Sequence, residues 1–289
     1  MAEKLTEVKN ANRPVGHIRW TIVLMVFGFI TFDYIDRGLV TSALPVLTTE
    51  FHLSPLLQAA IGDGFTYGYL IMNPVVGYIL DRYGGARLSV TRFGLGWGGA
   101  VQTITAGAFS AAYLVIARVF LGIMEAVGFP GGVTKITAEW MPRQEKARSG
   151  TIGGDSGVNV GIILGSLLLL GVDLIIPSSI AWRYALLISG ILTILLSSAL
   201  IFILYDTPEK HPKISKEELD YIRSNQEKAV EQVKAPVSSW FRTSDYWGGS
   251  MMGGLGAQAG IFFGLLTWLP LYLYEPGILH SHSRWPTRH

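Results

Sequence analysis

The chain has 289 residues, of which 49% are hydrophobic and only 15% are charged, whereas a soluble domain carries about 25% charged residues. The formal net charge of +2 is too small to indicate a nucleic-acid-binding protein. The absence of cysteine excludes disulfides, thiolate metal sites and thiol catalysis. Mean hydropathy is +0.37, and because the charges cluster between long apolar runs, these properties predict a membrane protein.

Seven apolar stretches are long enough to cross a bilayer, which takes about 20 residues in a helix. They cover approximately 18–45, 55–80, 87–108, 112–140, 149–172, 181–205 and 247–274. Glycine is frequent within them, as in GLGWGGAVQ, and small residues allow membrane helices to pack closely. The predicted fold is therefore an all-α, multi-pass membrane bundle.

Positive charges alternate between the two ends of these stretches. The loops after the second, fourth and sixth stretches contain lysine and arginine, whereas VLTTEFHLS and the FSAAY turn contain neither. Because loops rich in lysine and arginine stay in the cytoplasm, the N-terminus and the even-numbered loops are predicted to be cytoplasmic. The predicted location is the cell membrane.

The charge and hydropathy pattern divides the chain into five regions. These are a cytoplasmic tail (1–17), a six-span bundle (18–205), a cytoplasmic linker (206–246), a seventh span (247–275) and an aberrant or disordered tail (276–289). In the linker, Ser215 and Glu218 have the spacing of a capping box and predict the start of a short helix. The histidines of the last region are weaker support for a metal site than for an aberrant terminus, so no metal site is predicted.

Charged residues lie inside several of the predicted spans. Asp36 and Arg37 are in the first stretch, Asp63 is in the second, Glu125 in the fourth and Asp155 in the fifth. A charge near the middle of a membrane helix costs about 3 kcal/mol or more and is usually found facing a cavity. Their distribution over several spans indicates a polar pathway through the membrane rather than a simple anchor.

Arg37 is the best candidate in the first stretch for holding an anion. A guanidinium binds a carboxylate through two parallel hydrogen bonds and stays charged when buried. Asp33 lies four residues earlier and can pair with Arg37 along one helix face. Asp36 is adjacent, and its affinity for a proton can change as an anion arrives. A purely structural cluster is the alternative.

In the fourth stretch, Arg118 and Glu125 are seven residues apart and share one helix face. Two alternatives stay open: Arg118 could extend to the membrane interface, or Glu125 could form a structural pair with Arg118. Lys135 is interpreted as extending to the cytoplasmic face, with a second anion anchor as the alternative.

Two sequence patterns resemble the major facilitator superfamily. GYILDRYGGAR, after the second stretch, has the form G-x-x-x-D-R-x-G-x-x-R of that superfamily's loop between spans 2 and 3. Its glycines suit a tight turn, and its aspartate can cap a helix or pair with a basic residue. The residues that match are Gly77, Asp81, Arg82, Gly84 and Arg87. Arg118 and Gly122 match the R-x-x-x-G pattern of span 4.

Further segments narrow the resemblance to the anion:cation symporter family of sugar-acid and phthalate-type carriers. They are DYIDRGLVTSALP, GIMEAVGFPGG, EWMPRQEKARSG, the run from AWRYALLISG to EELDYI, and TWLPLYL, and the similarity covers about 18–275. The family has twelve spans in two halves, and the match stops after the seventh span, so a truncated carrier is expected.

The resemblance assigns roles to six residues. Arg37 would hold the substrate carboxylate, Asp36 and Glu125 would handle protons, and Tyr69 would form a hydrogen bond to the substrate. Asn73 and Asn159 stand where glutamine is common in the family and are weaker candidates for substrate binding. Asp33 departs from the family pattern, because that position is commonly uncharged.

The predicted function is secondary active transport, the symport of an organic anion with H⁺ or Na⁺ by alternating access. The expected partners are a small organic anion, the coupling ion, the lipid bilayer and a second transporter half, and no cofactor is predicted. No nucleophile motif, metal-ligand spacing or phosphate loop indicates an enzyme. The alternatives are a non-transporting fragment, a proton-driven efflux carrier of the same fold and a seven-helix receptor, although a cytoplasmic N-terminus disfavours the receptor.

Overall fold

A computed structural model describes residues 16–83 and 85–226, with residues 264, 265, 268 and 269. Every regular element in this part of the chain is helical, in agreement with the predicted all-α class. Residues 1–15, the end of the predicted linker, most of the predicted seventh span and the final tail lie outside the described residues.

The described residues contain six long helices, a short 3₁₀ helix at Pro208–Lys210 and a short α-helix. Four α-helices are continuous: α1 is Ile18–Phe51, α2 is Pro55–Tyr83, α6 is Ser178–Ile203 and the short α7 is Lys216–Ser224. The other three long helices consist of three consecutive segments each. These are Ala86–Leu88, Ser89–Trp97 and Gly98–Thr105 in α3; Ala111–Ala126, Val127–Gly132 and Val133–Trp140 in α4; and Lys146–Ser149, Gly150–Asp155 and Ser156–Asp173 in α5. The middle segments of α3, α4 and α5 are π-helical. Each contains at least two glycines, which weaken regular α-helix.

The helix boundaries follow local signals. α1 continues to Phe51, beyond its predicted end at residue 45, because Pro45 is accommodated inside the helix. It ends at His52, which adopts the left-handed conformation with φ 49° and donates its backbone N–H to the carbonyl of Thr48. Ser110 caps α4 by accepting a hydrogen bond from the backbone N–H of Tyr113.

The helices pack mainly as pairs, α1 with α5, α2 with α4 and α3 with α6. Glycines allow the closest approaches. A Cβ atom added at Gly161 or Gly165 of α5 would lie less than 3 Å from the backbone of α1, and one added at Gly122 of α4 would lie equally close to the backbone at Phe65 of α2. Gly122, identified from the R-x-x-x-G pattern, therefore permits the contact between α2 and α4.

Polar side chains also join neighbouring helices inside the bundle. Gln102 of α3 donates a 2.7 Å hydrogen bond to the hydroxyl of Ser189 on α6, and Ser197 of α6 donates one of 2.6 Å to the carbonyl of Thr91. Such bonds add about 1 kcal/mol to helix association in a membrane. They fix α3 against α6.

Three helices of the described residues are both long and apolar enough to cross a membrane, namely Ile18–Phe51, Lys146–Asp173 and Ser178–Ile203. α2 carries the polar residues Gln58, Asp63 and Asn73, while α3 and α4 are interrupted by their π-helical segments. α2, α3 and α4 are outside this set although they pack into the same bundle, whereas α5, which also contains a π-helical segment, is within it.

α7 packs against the start of α1. Ser215 caps α7 by accepting a hydrogen bond from the backbone N–H of Glu218, which confirms the predicted helix start. The Glu218 side chain, however, accepts hydrogen bonds from the backbone N–H groups of Ile18 and Arg19 at 3.2 and 3.1 Å. Glu218 is fully buried, so it supplies the N-terminal cap of α1 from a distant part of the sequence.

Arg19 links α7 to the loop between α4 and α5. Its guanidinium forms ion pairs with Glu218 at 3.1 Å and with Glu145 at 2.8 Å, and the hydroxyl of Tyr221 donates to Glu145 at 3.1 Å. The hydrogen bond from Arg19 is the main cause that lowers the pKa of Glu145. We call Arg19, Glu145, Glu218 and Tyr221 the α7 interface.

Candidate functional site

Five charged residues form a buried group between α1, α2 and α4, which we call the charge cluster. Its members are Asp33, Asp36 and Arg37 of α1 and Arg118 and Glu125 of α4, and each is at most 5% exposed. Arg37 lies about 28 Å from the start of α1 and about 21 Å from its end, at 1.5 Å per residue. The cluster therefore lies near the middle of the longest helix of the bundle.

The guanidinium of Arg37 contacts three carboxylates. Its Nη1 atom lies 3.3 Å from Asp33 Oδ2 and 3.4 Å from Asp36 Oδ1, and it also donates to the backbone carbonyl of Asp33. Its Nη2 atom lies 3.0 Å from Glu125 Oε2. The predicted pairing of Asp33 with Arg37 is present.

Two aromatic rings enclose the same guanidinium. The ring centroids of Tyr34 on α1 and Phe65 on α2 each lie 4.0 Å from Arg37 Cζ. A desolvated cation–π contact contributes about 2 kcal/mol. Phe65 was not identified from the sequence, although it lies one turn before Tyr69 on the same helix face and that spacing was an available signal.

Arg118 pairs across helices. Its Nη1 atom lies 2.6 Å from Asp36 Oδ2, and the side chain is buried inside the bundle. The alternative in which Arg118 extends to the membrane interface is therefore wrong. The alternative in which Arg118 pairs with Glu125 is not what the structure shows. Arg118 pairs with Asp36 and Glu125 pairs with Arg37, so both ion pairs join α1 to α4.

One edge of the Arg37 guanidinium is only weakly held. Its Nε atom is buried without a hydrogen-bond partner among the described residues, and Glu125 Oε2 lies within ion-pair distance of Nη2 but makes no hydrogen bond. Nε and Nη2 together form an edge through which a guanidinium binds a carboxylate with two parallel hydrogen bonds. The described site can therefore accept a carboxylate at this edge if Glu125 withdraws.

The charge cluster is not balanced. Three carboxylates face two guanidinium groups, so the fully ionised cluster carries one excess negative charge. Burying an uncompensated charge costs several kcal/mol. The arrangement therefore favours uptake of a proton or another cation, and it disfavours an added anion unless a cation accompanies it.

The other residues predicted to bind substrate differ in their positions. The ring of Tyr69 is half-buried on α2, with its centroid 5.4 Å from that of Phe65, next to the charge cluster. Asn73 is half-buried one turn further along α2. Asn159 lies on the exposed surface of α5 and donates to the backbone carbonyl of Asp155. It is not among the buried contacts of the cluster.

The loop motif after α2 is described only in part. Gly77 and Arg82 are exposed, and Arg82 donates to a tyrosine hydroxyl one turn earlier. Gly85 has a φ of 79°, so a glycine makes the tight turn into α3. Gly84 and the side chain of Asp81 lie outside the described residues, and the capping role of Asp81 stays a prediction.

The remaining charged residues of the predicted spans are not members of the charge cluster. Lys135 donates to the backbone carbonyl of Leu80 and so ties α4 to the end of α2. Asp155 is exposed and lines a cavity of about 480 Å³ between α1, α4 and α5. Asp63 is half-buried on α2.

A charge cluster buried at the middle of a bundle of apolar helices is characteristic of polytopic membrane transporters. The chain belongs to the Major Facilitator Superfamily, whose model matches residues 26–280. It is thus a membrane protein of a transporter family and not an enzyme, and this membership excludes the receptor alternative.

Several curated relatives are transporters of sugar acids. The chain is 32% identical to a hexuronate transporter of Escherichia coli strain K12 over 270 residues, which are 91% of this chain and 59% of the relative. It is 30% identical to a galacturonate transporter of Dickeya chrysanthemi, covering 89% of this chain and 72% of the relative. It is also 30% identical to an uncharacterised transporter of Bacillus subtilis, of which it spans 59%. The chain therefore spans about three-fifths of the length of two of these three relatives.

The fold also matches a solved structure. A bacterial homologue of the human lysosomal transporter Spinster, in an inward-facing and unoccupied conformation, aligns with a TM-score of 0.63 and 22% identity. The alignment covers 88% of this chain and 55% of that chain. This similarity agrees with the family's helical fold.

Proposed function

We propose that the protein carries out proton-coupled symport of an organic anion, a hexuronate such as galacturonate, across the cell membrane by alternating access. The relatives named for hexuronate and galacturonate transport support this substrate class. The observation that carries the proposal is the Arg37 guanidinium, which is buried near the middle of α1 with an edge that makes no hydrogen bond to any described residue.

The substrate carboxylate docks on the Nε–Nη2 edge of Arg37. It takes the place of Glu125, which lies there at 3.0 Å without hydrogen-bond geometry. The two parallel hydrogen bonds favour a carboxylate over a neutral hydroxyl. Tyr69, Asn73 and Asn159 are the candidates for binding the sugar hydroxyls, and Tyr69 is the best placed because its ring adjoins Phe65.

Proton binding accompanies the anion because Glu125 and the substrate compete for one cation. A protonated Glu125 no longer holds Nη2, and the arriving carboxylate restores the charge balance of Arg37. The sequence predicts Asp36 as a second proton carrier, although both of its carboxylate oxygens already form ion pairs with arginine. Neutralising a carboxylate also lowers the cost of moving charge through the membrane interior.

Alternating access follows from the arrangement of repeats. α1 to α3 and α4 to α6 are proposed to be inverted repeats, with Arg37 on the first helix of one and Glu125 on the first helix of the other. A relative movement of α1 and α4 would break or re-form the ion pairs of Arg37 with Glu125 and of Asp36 with Arg118. The end that carries the start of α1 is proposed to face the cytoplasm.

Uptake by the purified chain in proteoliposomes tests the proposal. Labelled galacturonate should accumulate under an inward-directed proton gradient, and a protonophore should abolish the accumulation. Binding of galacturonate without uptake would support the non-transporting alternative. Absence of galacturonate binding at both acidic and neutral pH would reject the proposed substrate class, and counterflow of cationic solutes instead would favour an efflux carrier.

A further inference from the structure

Asp33 forms fewer side-chain ion pairs than Asp36, the other aspartate of the charge cluster. Its Oδ2 atom has one ionic contact, 3.3 Å from Arg37 Nη1, while its Oδ1 atom is buried with no hydrogen-bond partner among the described residues. Asp36 instead has both carboxylate oxygens in ion pairs, one with Arg118 at 2.6 Å and one with Arg37 at 3.4 Å. Both side chains are at least 98% buried.

The charge balance requires more than one proton when an anion binds. The ionised cluster already has one excess negative charge, and a substrate carboxylate adds a second. If Glu125 and one aspartate of α1 are protonated, the other aspartate and the substrate together balance Arg37 and Arg118. Two bound protons thus give a neutral buried site, which avoids the cost of an uncompensated charge.

The groups around Asp33 decide which aspartate accepts the second proton. Among the described residues, the charged or titratable neighbours in the cluster region are Asp36, Arg37 and Tyr34 on α1, Arg118 and Glu125 on α4, and Tyr69 on α2. α5 faces this part of α1 with Gly161 and Gly165, and α3 and α6 contribute apolar packing around its first half. Protonating Asp36 would weaken the 2.6 Å pair that balances Arg118, whereas protonating Asp33 gives up a single long contact.

We propose that Asp33, and not Asp36, is the α1 carboxylate that takes up a proton together with the organic anion. This inference rests on the proposed function. Asp36 stays ionised as the partner of Arg118, while Asp33 becomes neutral and continues to contact Arg37 through its backbone carbonyl. Asp33 thereby acts as a coupling residue that sets the number of protons bound per anion.

A proton fits the position better than a metal ion does. Within the described residues, no three acidic or histidine side chains converge as metal ligands. A single carboxylate oxygen that lacks a donor is satisfied by one proton, whereas Ca²⁺ takes six to eight oxygen ligands and Mg²⁺ requires six. Replacement of Asp33 by asparagine therefore removes the proton site with little change of shape.

The test is the pH dependence of galacturonate binding to the purified full chain. The limiting slope of log Kd against pH on the alkaline side counts the protons bound with the anion. We expect a slope of about two for the wild type and about one for Asp33→Asn, since each linked proton contributes one unit. Asp33→Glu keeps the carboxyl group and should restore the wild-type slope, and Asp173→Asn, exposed at the end of α5, should leave it unchanged.

The outcomes separate this inference from the proposed function. A wild-type chain that binds no galacturonate would reject the proposed function. Binding with a slope that Asp33→Asn leaves unchanged, or that only Asp36→Asn lowers, would overturn the role of Asp33 alone. If Asp33→Asn does not fold, the wild-type slope decides, since a value of about one or less contradicts two linked protons. An affinity that depends on Na⁺ and not on pH would also overturn the inference.

Discussion

Glu125 is the residue whose charge competes most directly with the substrate in this account. Glu125→Gln removes the negative charge beside Arg37 Nη2 while keeping the size of the side chain. We expect galacturonate to bind about tenfold more tightly at alkaline pH, which corresponds to about 1.4 kcal/mol, and to show a weaker pH dependence. Measurements of Kd at two pH values check this.

The matched control for Glu125→Gln is Glu50→Gln. Glu50 also pairs with an arginine, Arg183, at 2.7 Å, but near the C-terminal end of α1 and outside the charge cluster. Glu50→Gln should therefore leave the affinity for galacturonate unchanged. An alkaline affinity of Glu125→Gln equal to that of the wild type would mean that Glu125 and the anion do not share Arg37.

At the scale of single residues, the sequence predicts some site members and not their partners. Asp36, Arg37 and Glu125 are recognisable because each is a charge within an apolar run. The pair of Arg118 with Asp36 and the contact of Phe65 with Arg37 depend on how separate helices are rotated about their axes. Local spacing does not contain that information.

The contact between α1 and α5 depends on glycine at particular positions. A Cβ at Gly165 would meet the backbone of Ile35 and Leu39, whereas one at Gly171 of the same helix would have no neighbour within 4 Å. Gly165→Ala should therefore destabilise the bundle by about 1–3 kcal/mol. Gly171→Ala should be neutral or stabilising by up to about 1 kcal/mol. Thermal unfolding in detergent compares them, and equal melting temperatures would contradict this packing.

A second prediction concerns how Glu218 holds α7 against the start of α1. Glu218→Ala removes the cap of α1 and one of the two carboxylates that hold Arg19. Because Glu145 still pairs with Arg19, we expect a loss of about 1–3 kcal/mol and faster hydrogen exchange in α7. Glu217→Ala changes the exposed neighbouring residue and should have little effect. Similar exchange rates in the two variants would show that α7 is not held by Glu218.

Elements are predictable where one stretch of sequence determines them. The apolar lengths predict the long helices, and Ser215 predicts the start of α7. The extension of α1 to Phe51 is harder to predict because Pro45 is a frequent helix terminator. The use of Glu218 as a cap for α1, about 200 residues away in the sequence, requires knowledge of the tertiary fold.

At the scale of the whole molecule, superfamily membership follows from motifs at several points of the chain. The predicted domain boundaries and membrane orientation stay predictions. Substrate choice is not determined by the charge cluster, because sugar acids, aromatic acids and short dicarboxylates all present a carboxylate to Arg37. We propose sugar acids because two relatives are named as transporters of galacturonate and hexuronate.

Calorimetric titration of the purified chain with galacturonate and with galactose tests whether Arg37 binds the substrate carboxylate. The two sugars differ in having a carboxylate or a neutral hydroxymethyl group. Galacturonate should bind at least about 100-fold more tightly, since a charge-assisted pair of hydrogen bonds contributes about 3 kcal/mol or more. Arg37→Lys should abolish this binding, and Arg183→Lys, at a half-buried pair outside the cluster, should retain it. Equal affinity for the two sugars, or normal galacturonate binding by Arg37→Lys, would contradict the account.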